Sequence, residues 1–244
     1  LSTKAVNLGR VFGYMALAIL VTAIFTGLFG YLIWTVCECV KTPTGIYANY
    51  DAYLGFAIGA IVPAIGMIVC SVLAGSFSFK HRQSSRSVLI PFTIYAICIG
   101  YVLALIIPFI PFEVLAVSLG ASLIVFGSLA LVGLVSKGNM NPLMTLAGGL
   151  MSGIFLVCLM NLIFIWFVPS VVVDVFFWII SLGIFVVLML TTIWDVWHIK
   201  TIAEQNELTP NLTLFLAFRL YVDFIAIFIR ILYYVLIIYS RHSN

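Results

Sequence analysis

Two aspartates in the last third of the chain are candidates for chemistry, because each is a carboxylate within or next to a long apolar segment. Asp195 ends a long apolar run, and Asp223 lies about ten residues into the next one. A charge at bilayer depth costs roughly 2.5–3.5 kcal/mol on insertion scales, so membrane proteins that keep one commonly use it to handle ions or protons. Adjacent antiparallel helices can bring two such carboxylates to a similar depth, where both cannot ionise cheaply. We predict that the pair shares a proton and acts as a proton sensor or a cation site.

Two arginines accompany Asp223 in the last apolar run. Arg219 lies four residues before it and Arg230 seven residues after it, and these spacings place all three on one helix face. A lipid-facing stripe of this kind would leave its charges unpaired, so we expect the helix to face the interior of a bundle. An internal salt bridge that only fixes helix packing is the alternative interpretation.

The composition surrounding these residues is that of a membrane protein. Of the residues, 64% are hydrophobic and 8% charged, against about 25% charged in an ordinary soluble domain. Apolar runs long enough to cross a bilayer as helices occur seven times. They are continuous, without the alternation typical of a membrane strand. We therefore predict an all-α membrane protein, a single seven-helix transmembrane domain over residues 1–244, with spans at 11–36, 52–75, 88–107, 114–135, 143–168, 175–194 and 213–239.

The distribution of Lys and Arg predicts the orientation in the membrane. With a cytoplasmic N-terminus most basic residues fall inside, and only Lys41 and Arg241 fall outside. This favours a multi-pass protein of the cell membrane with its N-terminus in and its C-terminus out. Its partner is the lipid bilayer, and no nucleic acid is expected. Cys37 and Cys39 then lie outside, where we expect an impermeant thiol reagent to reach at least one of them.

Further residues bear on helix shape and packing. Pro63 is predicted to bend the second span, because it removes a backbone hydrogen bond. Small residues allow close helix approach. Such glycines lie in the first, second and fifth spans: Gly13, Gly27, Gly30, Gly55, Gly59, Gly148, Gly149 and Gly153.

Three enzyme or cofactor classes are disfavoured by specific residues. A retinal protein needs a lysine in its last helix, and this one has none. A zinc hydrolase needs clustered ligands, but His81, His198 and His242 are scattered. A Ser–His membrane enzyme needs a histidine within the bilayer, and the predicted spans contain none. We predict no catalytic residue, no enzymatic activity and no cofactor beyond transient Ca²⁺.

Three segments together carry a family resemblance. An aromatic residue and Asp are followed by Ile-Lys within 194–200, and Ala-x-x-Leu-Tyr-hydrophobic-Asp-Phe-Ile occupies 217–225. Lys137 is followed by Met140, Asn141 and a Gly-rich fifth span ending at Asn161. With these segments the chain resembles the Bax inhibitor-1 family, also called the transmembrane BAX inhibitor motif family, in its bacterial branch.

The resemblance implies six helices around a central seventh and a pH-sensitive calcium leak governed by a di-aspartyl pair. Asp195 and Asp223 match that pair and would bind the metal ion. In the family a basic residue at the end of the second helix binds the aspartate pair when the pore is closed, and so acts as a latch. That position matches Arg82, with Lys80 as the next candidate.

The sequence also departs from the family pattern in its pore-facing chemistry. Ala226 replaces an Asn, Tyr233 replaces an Arg, and Cys70-Ser71 stands where an acidic residue is often found. Arg230 lies one turn before Tyr233. These changes bear on ion selectivity and leave the expected fold unaffected.

Two other functions stay open from the sequence. One is a non-conducting interaction protein that modulates a membrane-bound AAA protease or a stress response, as the resemblance implies for some bacterial members. Such a modulator typically needs an exposed N-terminal segment, and about ten residues precede the first span here. The other is a small-solute transporter, which a substrate-sized pocket at the midplane would favour.

Overall fold

A computed structural model describes residues 3–42, 45–47, 49–78, 86–164, 170–205 and 208–242. The described elements are almost entirely helical. In chain order they are α1 Thr3–Val36, β1 Val40–Thr42, β2 Gly45–Tyr47, α2 Tyr50–Gly59, α3 Ile61–Ser78, α4 Arg86–Ala104, a 3-10 turn Ile107–Phe109, α5 Phe112–Val135, α6 Asn141–Phe164, α7 Ser170–Gln205 and α8 Pro210–His242.

Seven helical segments in the described ranges are long and apolar enough to cross a membrane. This confirms the predicted all-α fold class and identifies a multi-pass membrane protein. The segments are Leu8–Val36, Tyr50–Ser76, Arg86–Phe109, Phe112–Val135, Asn141–Leu159, Phe177–Gln205 and Pro210–Ser240.

The sixth span is longer than predicted. The predicted span ends at Trp194, next to Asp195, but α7 continues to Gln205. The extension keeps an apolar face, because Val196, Ile199 and Ala203 are almost completely buried at helical spacing. Asp195 therefore lies within a continuous helix, with nearly three turns beyond it.

The second span is interrupted near its proline, where the sequence predicts a bend. Helices α2 and α3 meet at Ala60, three residues before Pro63. The proline has no N–H to donate to the carbonyl of Gly59, and its ring crowds that carbonyl. The span therefore changes from one helix to the next at this point.

Helix α1 ends in a tight cap that buries two cysteines. Glu38 has a φ of 50°, and the N–H of Cys39 donates to the carbonyl of Trp34 at 3.1 Å. This is a Schellman motif with a glutamate at the left-handed position that glycine usually occupies. The short β1–β2 hairpin follows, with Val40 opposite Tyr47.

The burial of these cysteines corrects the labelling expectation. Cys37 is fully buried and Cys39 is 8% exposed, and they cluster with Ile33, Ala104 and Leu105. Burial raises the pKa of both thiols, and the charge of the neighbouring Cys37 thiolate raises that of Cys39 further. Since the thiolate is the reactive form, an impermeant reagent should react with them slowly.

The chain divides into two compact units. Unit 1 comprises Leu1–Val117 and Ala203–Tyr221, and unit 2 comprises Ser118–Ile202 and Val222–Asn244. In unit 1, α4 packs against α1 and α3. In unit 2, α5 approaches α7 at Gly133, and α6 approaches α7 at Gly183. The predictions of one domain over residues 1–244 and of six helices around a central α8 stay predictions.

Candidate functional site

Asp195 is a buried carboxylate of unit 2. It is 4% exposed, and its Oδ1 atom is shielded from solvent. Its neighbours Thr192, Val196 and Ile199 on α7 are buried to at least the same degree. An ionisable side chain this deep in an apolar helix is the kind of residue that a membrane protein keeps for function.

Two contacts with α5 hold this part of α7 in place. A Cβ added at Gly133 would lie 2.8 Å from the carbonyl oxygen of Ile193 and 2.9 Å from Cβ of Val196. The glycine therefore lets the two backbones meet on either side of Asp195. Five residues further along α7, the Lys200 ammonium donates to the carbonyl of Ser136 at 3.0 Å, just beyond the end of α5. Helix ends present such carbonyls to cations.

Asp223 lies in the part of α8 that belongs to unit 2. The residue is partly buried, and its Oδ2 atom is shielded from solvent. Phe224 and Ile227 beside it are almost completely buried. The ring of Phe224 packs edge to face on Phe126 of α5, with centroids 5.6 Å apart. The hydrogen-bonding distance predicted between the two carboxylates stays a prediction.

The two arginines of the predicted stripe fall in different units. Arg219 is partly buried in unit 1. Arg230 is partly buried in unit 2, where its Nη1 donates to Oγ of Ser181 on α7 at 2.9 Å. Ser181 Oγ also lies 3.1 Å from the Tyr234 hydroxyl. Arg230 on α8 thus binds the neutral Ser181 hydroxyl of α7, which in turn contacts the Tyr234 hydroxyl.

A second polar contact, in unit 1, escaped the sequence reasoning. The hydroxyls of Thr22 and Tyr221 lie 2.6 Å apart, and Tyr221 is fully buried. Thr22 Oγ1 also lies 3.0 Å and 3.2 Å from the carbonyls of Ala18 and Ala96. Tyr221 belongs to the 217–225 segment already singled out, but nothing in the sequence pointed to its threonine partner.

The predicted latch residues Arg82 and Lys80 lie outside the described residues, as does His81. Within the described ranges no group of three or more His, Cys, Asp or Glu side chains could hold a metal ion. A cation at the aspartate pair would therefore have to draw its remaining oxygen ligands from carbonyls, hydroxyls or water. Calcium takes such ligands readily.

A pocket of about 460 Å³ lies beside Tyr234 in unit 2. It is lined by apolar and aromatic side chains, namely Trp178, Ile179, Leu182, Tyr234 and Ile238. Its residues lie near the ends of the sixth and seventh spans that the predicted topology places outside, and its lining is apolar and aromatic. This pocket does not favour the small-solute transporter.

Comparison with known protein families identifies the family of this chain. Residues 5–240 match the family described as Inhibitor of apoptosis-promoting Bax1. The chain belongs to this family. The match spans all seven membrane segments and both aspartates, which confirms the resemblance drawn from the three motif segments. No curated protein and no solved structure matches the chain.

Within the Bax inhibitor-1 family, the motif segments can be placed on the fold. The 194–200 segment lies inside α7, and the 217–225 segment lies in α8. Both aspartates fall in unit 2, each with one carboxylate oxygen shielded from solvent. The assignment to the bacterial branch stays a prediction.

Proposed function

We propose that this protein is a pH-sensitive cation leak channel of the cell membrane, with calcium as the favoured ion, gated by Asp195 and Asp223. The observation that carries the proposal is that each aspartate, Asp195 on α7 and Asp223 on α8, has one carboxylate oxygen shielded from solvent within unit 2. Family membership adds to it, because the matched residues 5–240 include both aspartates. The resemblance of the 194–200 and 217–225 segments assigns Asp195 and Asp223 to the family's di-aspartyl pair.

The register of α7 and α8 supports the pairing of the two aspartates. The contacts of Ser181 with Arg230 and Tyr234 place it level with the turn between them. Residues can be counted from that level along each of the two antiparallel helices toward its aspartate. The count is about five residues larger for Asp195 than for Asp223. At about 1.5 Å of rise per residue this is an axial offset of roughly 7 Å.

The direction of the side chains reduces that offset. Asp195 lies two heptads from Ser181 and therefore on nearly the same face of α7, turned toward α8. Helical side chains tilt toward the N-terminus of their own helix. Because α7 and α8 are antiparallel, the side chains of Asp195 and Asp223 tilt toward each other.

Such a pair can couple protons to cations by simple electrostatics. Two nearby carboxylates in a poorly solvated place repel each other, and one shared proton or one bound cation relieves the repulsion. The pair supplies up to four oxygens to a hard cation, which is why we propose calcium as the favoured ion. Arg82, or Lys80 in its place, would neutralise the pair at rest, and protonation would change that latch.

Flux measurements on the reconstituted full chain test the proposal. Liposomes loaded with a calcium indicator are assayed from about pH 5 to pH 8. The parent should leak calcium at a rate that depends on pH. Asp195→Asn and Asp223→Asn should each abolish that dependence, because the repulsion and the titration disappear together. Arg82→Ala should raise the leak of the closed state.

A matched control separates the pair from acidic residues in general. Glu113→Gln removes an exposed carboxylate in the first turn of α5 and should leave the pH profile unchanged. Aspartate variants that lower stability but keep the pH response would support a structural salt bridge instead. Absence of flux in every variant would leave the non-conducting interaction protein, for example a modulator of a membrane AAA protease, as the better explanation.

A further inference from the structure

Arg230 places a cation inside the seventh membrane span without a neutralising carboxylate among the described residues. Its hydrogen bond goes to the neutral Ser181 hydroxyl, which in turn meets the Tyr234 hydroxyl. Ser181 is 8% exposed, so this contact lies away from solvent. Neutral partners satisfy the geometry of a guanidinium but leave its full positive charge in place.

The position of Arg230 relates it directly to Asp223. The two residues are seven positions apart on α8, which is nearly two turns, so they share one helix face. Their axial separation is about 10 Å. Ile227 lies between them on the same face and is fully buried. A cation that leaves Asp223 along this face toward the C-terminal end of α8 meets first an apolar side chain and then a guanidinium.

We propose that Arg230 is the electrostatic barrier of the cation pathway, placed on the C-terminal side of the aspartates. This inference rests on the proposed leak function and specifies how it is regulated. A fixed positive charge disfavours a cation in proportion to the cation's valence. Arg230 therefore keeps the leak slow and slows divalent ions more than univalent ones.

The size of the effect follows from Coulomb's law. At about 8 Å and an effective dielectric constant of about 20, a unit charge is disfavoured roughly 30-fold by a second unit charge. A divalent ion is disfavoured by about the square of that factor. The ion and its surroundings relax during passage, so the observed effect should be smaller, but the dependence on valence should persist.

Ser181 and Tyr234 are positioning residues in this arrangement. The Ser181 hydroxyl accepts a hydrogen bond from Arg230 and contacts the Tyr234 hydroxyl. The Tyr234 ring stacks on Trp178, with ring centroids 6.0 Å apart. Phe185 packs edge to face on the same ring. These contacts hold the guanidinium against α7, so loss of the serine hydroxyl should loosen the barrier while the charge remains.

The test compares univalent and divalent flux in liposomes containing the full chain. Arg230→Gln should raise univalent flux several-fold and calcium flux by about the square of that factor, at least about tenfold. Arg230→Lys keeps the charge and should stay near the parent rate for both ions. Ser181→Ala should give a smaller increase with the same dependence on valence.

Other outcomes distinguish this inference from the leak function itself. If the parent leaks calcium with the expected pH response and Arg230→Gln leaves both fluxes unchanged, the barrier is wrong and the leak stands. An equal increase for univalent and divalent ions would indicate a loosened bundle and would also overturn the barrier. If neither the parent nor any variant conducts, the leak function and the barrier fall together. Should Arg230→Gln fail to fold, the flux ratio of Ser181→Ala decides.

Discussion

At the scale of single residues, the contact between Thr22 and Tyr221 has a defined direction. Thr22 Oγ1 faces the carbonyls of Ala18 and Ala96, which can only accept hydrogen bonds. The single hydroxyl proton of Thr22 therefore points to one of these carbonyls. We infer that the Tyr221 hydroxyl donates to Thr22 across the 2.6 Å contact.

This direction predicts unequal costs for removing either partner. Thr22→Val leaves the fully buried Tyr221 donor without its acceptor and should cost about 1–3 kcal/mol. Tyr221→Phe leaves Thr22 bonded to a carbonyl and should cost only about 0.5–1.5 kcal/mol. Thermal unfolding in detergent measures both variants. Thr22→Ser keeps the hydroxyl and should stay closest to the parent, and a larger loss in Tyr221→Phe than in Thr22→Val would contradict the assignment.

The sequence predicted some of these residues and could not predict others. Asp195 and Asp223 are conspicuous because a carboxylate is rare and costly in an apolar run. A threonine is common in membrane helices, since its hydroxyl can bond to its own backbone, so Thr22 gave no signal. Its partner Tyr221 lies 199 positions away, and only the folded chain brings the two together.

At the scale of helices, two glycines control how closely neighbouring backbones approach. A Cβ at Gly133 in α5 would lie 2.8 Å from the Ile193 carbonyl of α7. A Cβ at Gly100 in α4 would lie 3.1 Å from the Thr22 carbonyl of α1 and 2.9 Å from Cβ of Phe25. Backbone atoms cannot move aside as a flexible side chain can, so both pairs of helices would have to separate.

We expect Gly133→Ala and Gly100→Ala each to cost about 1–3 kcal/mol through this crowding. Gly149→Ala is the matched control, because nothing lies within 4 Å of its Cβ position in α6. It should be neutral or stabilising by up to about 1 kcal/mol, since alanine favours a helix over glycine. Melting temperatures in one detergent compare the three variants. Equal losses in all three would show that helix crowding is not the cause.

The glycines singled out in the sequence show how little composition alone says about helix packing. The sequence favoured close approach at glycines of the first, second and fifth spans. Gly30 and Gly59 do approach Pro108 and Tyr101. The other six have no atom within 4 Å of a Cβ position, namely Gly13, Gly27, Gly55, Gly148, Gly149 and Gly153. A small residue permits close approach, and only the opposing helix determines whether it occurs.

Span positions were more predictable than span ends. Seven apolar runs suffice to locate seven helices, because the bilayer core sets the length of each. The end of α7 depends instead on the tertiary burial of Val196, Ile199 and Ala203, which lie among polar residues in the sequence. Hydropathy alone therefore ended the sixth span too early.

At the scale of the whole molecule, the orientation in the membrane determines the order in which a cation would meet the proposed barrier and the aspartates. With the N-terminus inside, Asp223 lies closer to the cytoplasm than Arg230 along α8. A cation entering from outside would then pass the guanidinium before it reaches the carboxylates. The reverse orientation would place the proposed proton-sensing pair on the outer side of the proposed barrier, where it would respond to external pH.

The cap after α1 offers a test of this orientation. The native thiols Cys37 and Cys39 are poor targets, because burial raises the pKa of each and lowers the fraction of reactive thiolate. Glu38 between them is exposed. Glu38→Cys in a Cys37→Ala/Cys39→Ala background therefore presents a thiol on the same turn that is open to reagent.

We expect an impermeant maleimide to label this Glu38→Cys variant in intact cells at neutral pH, because the positive-inside distribution places the turn outside. The parent should react at least about tenfold more slowly at the same pH. Its rate should rise only above the ordinary pKa range of a cysteine thiol, because burial raises the pKa of Cys37 and Cys39. The double-alanine background without the new cysteine gives the baseline from the remaining thiols. Labelling of the new cysteine only after lysis would invert the topology, and with it the order in which a cation meets Arg230 and the aspartate pair.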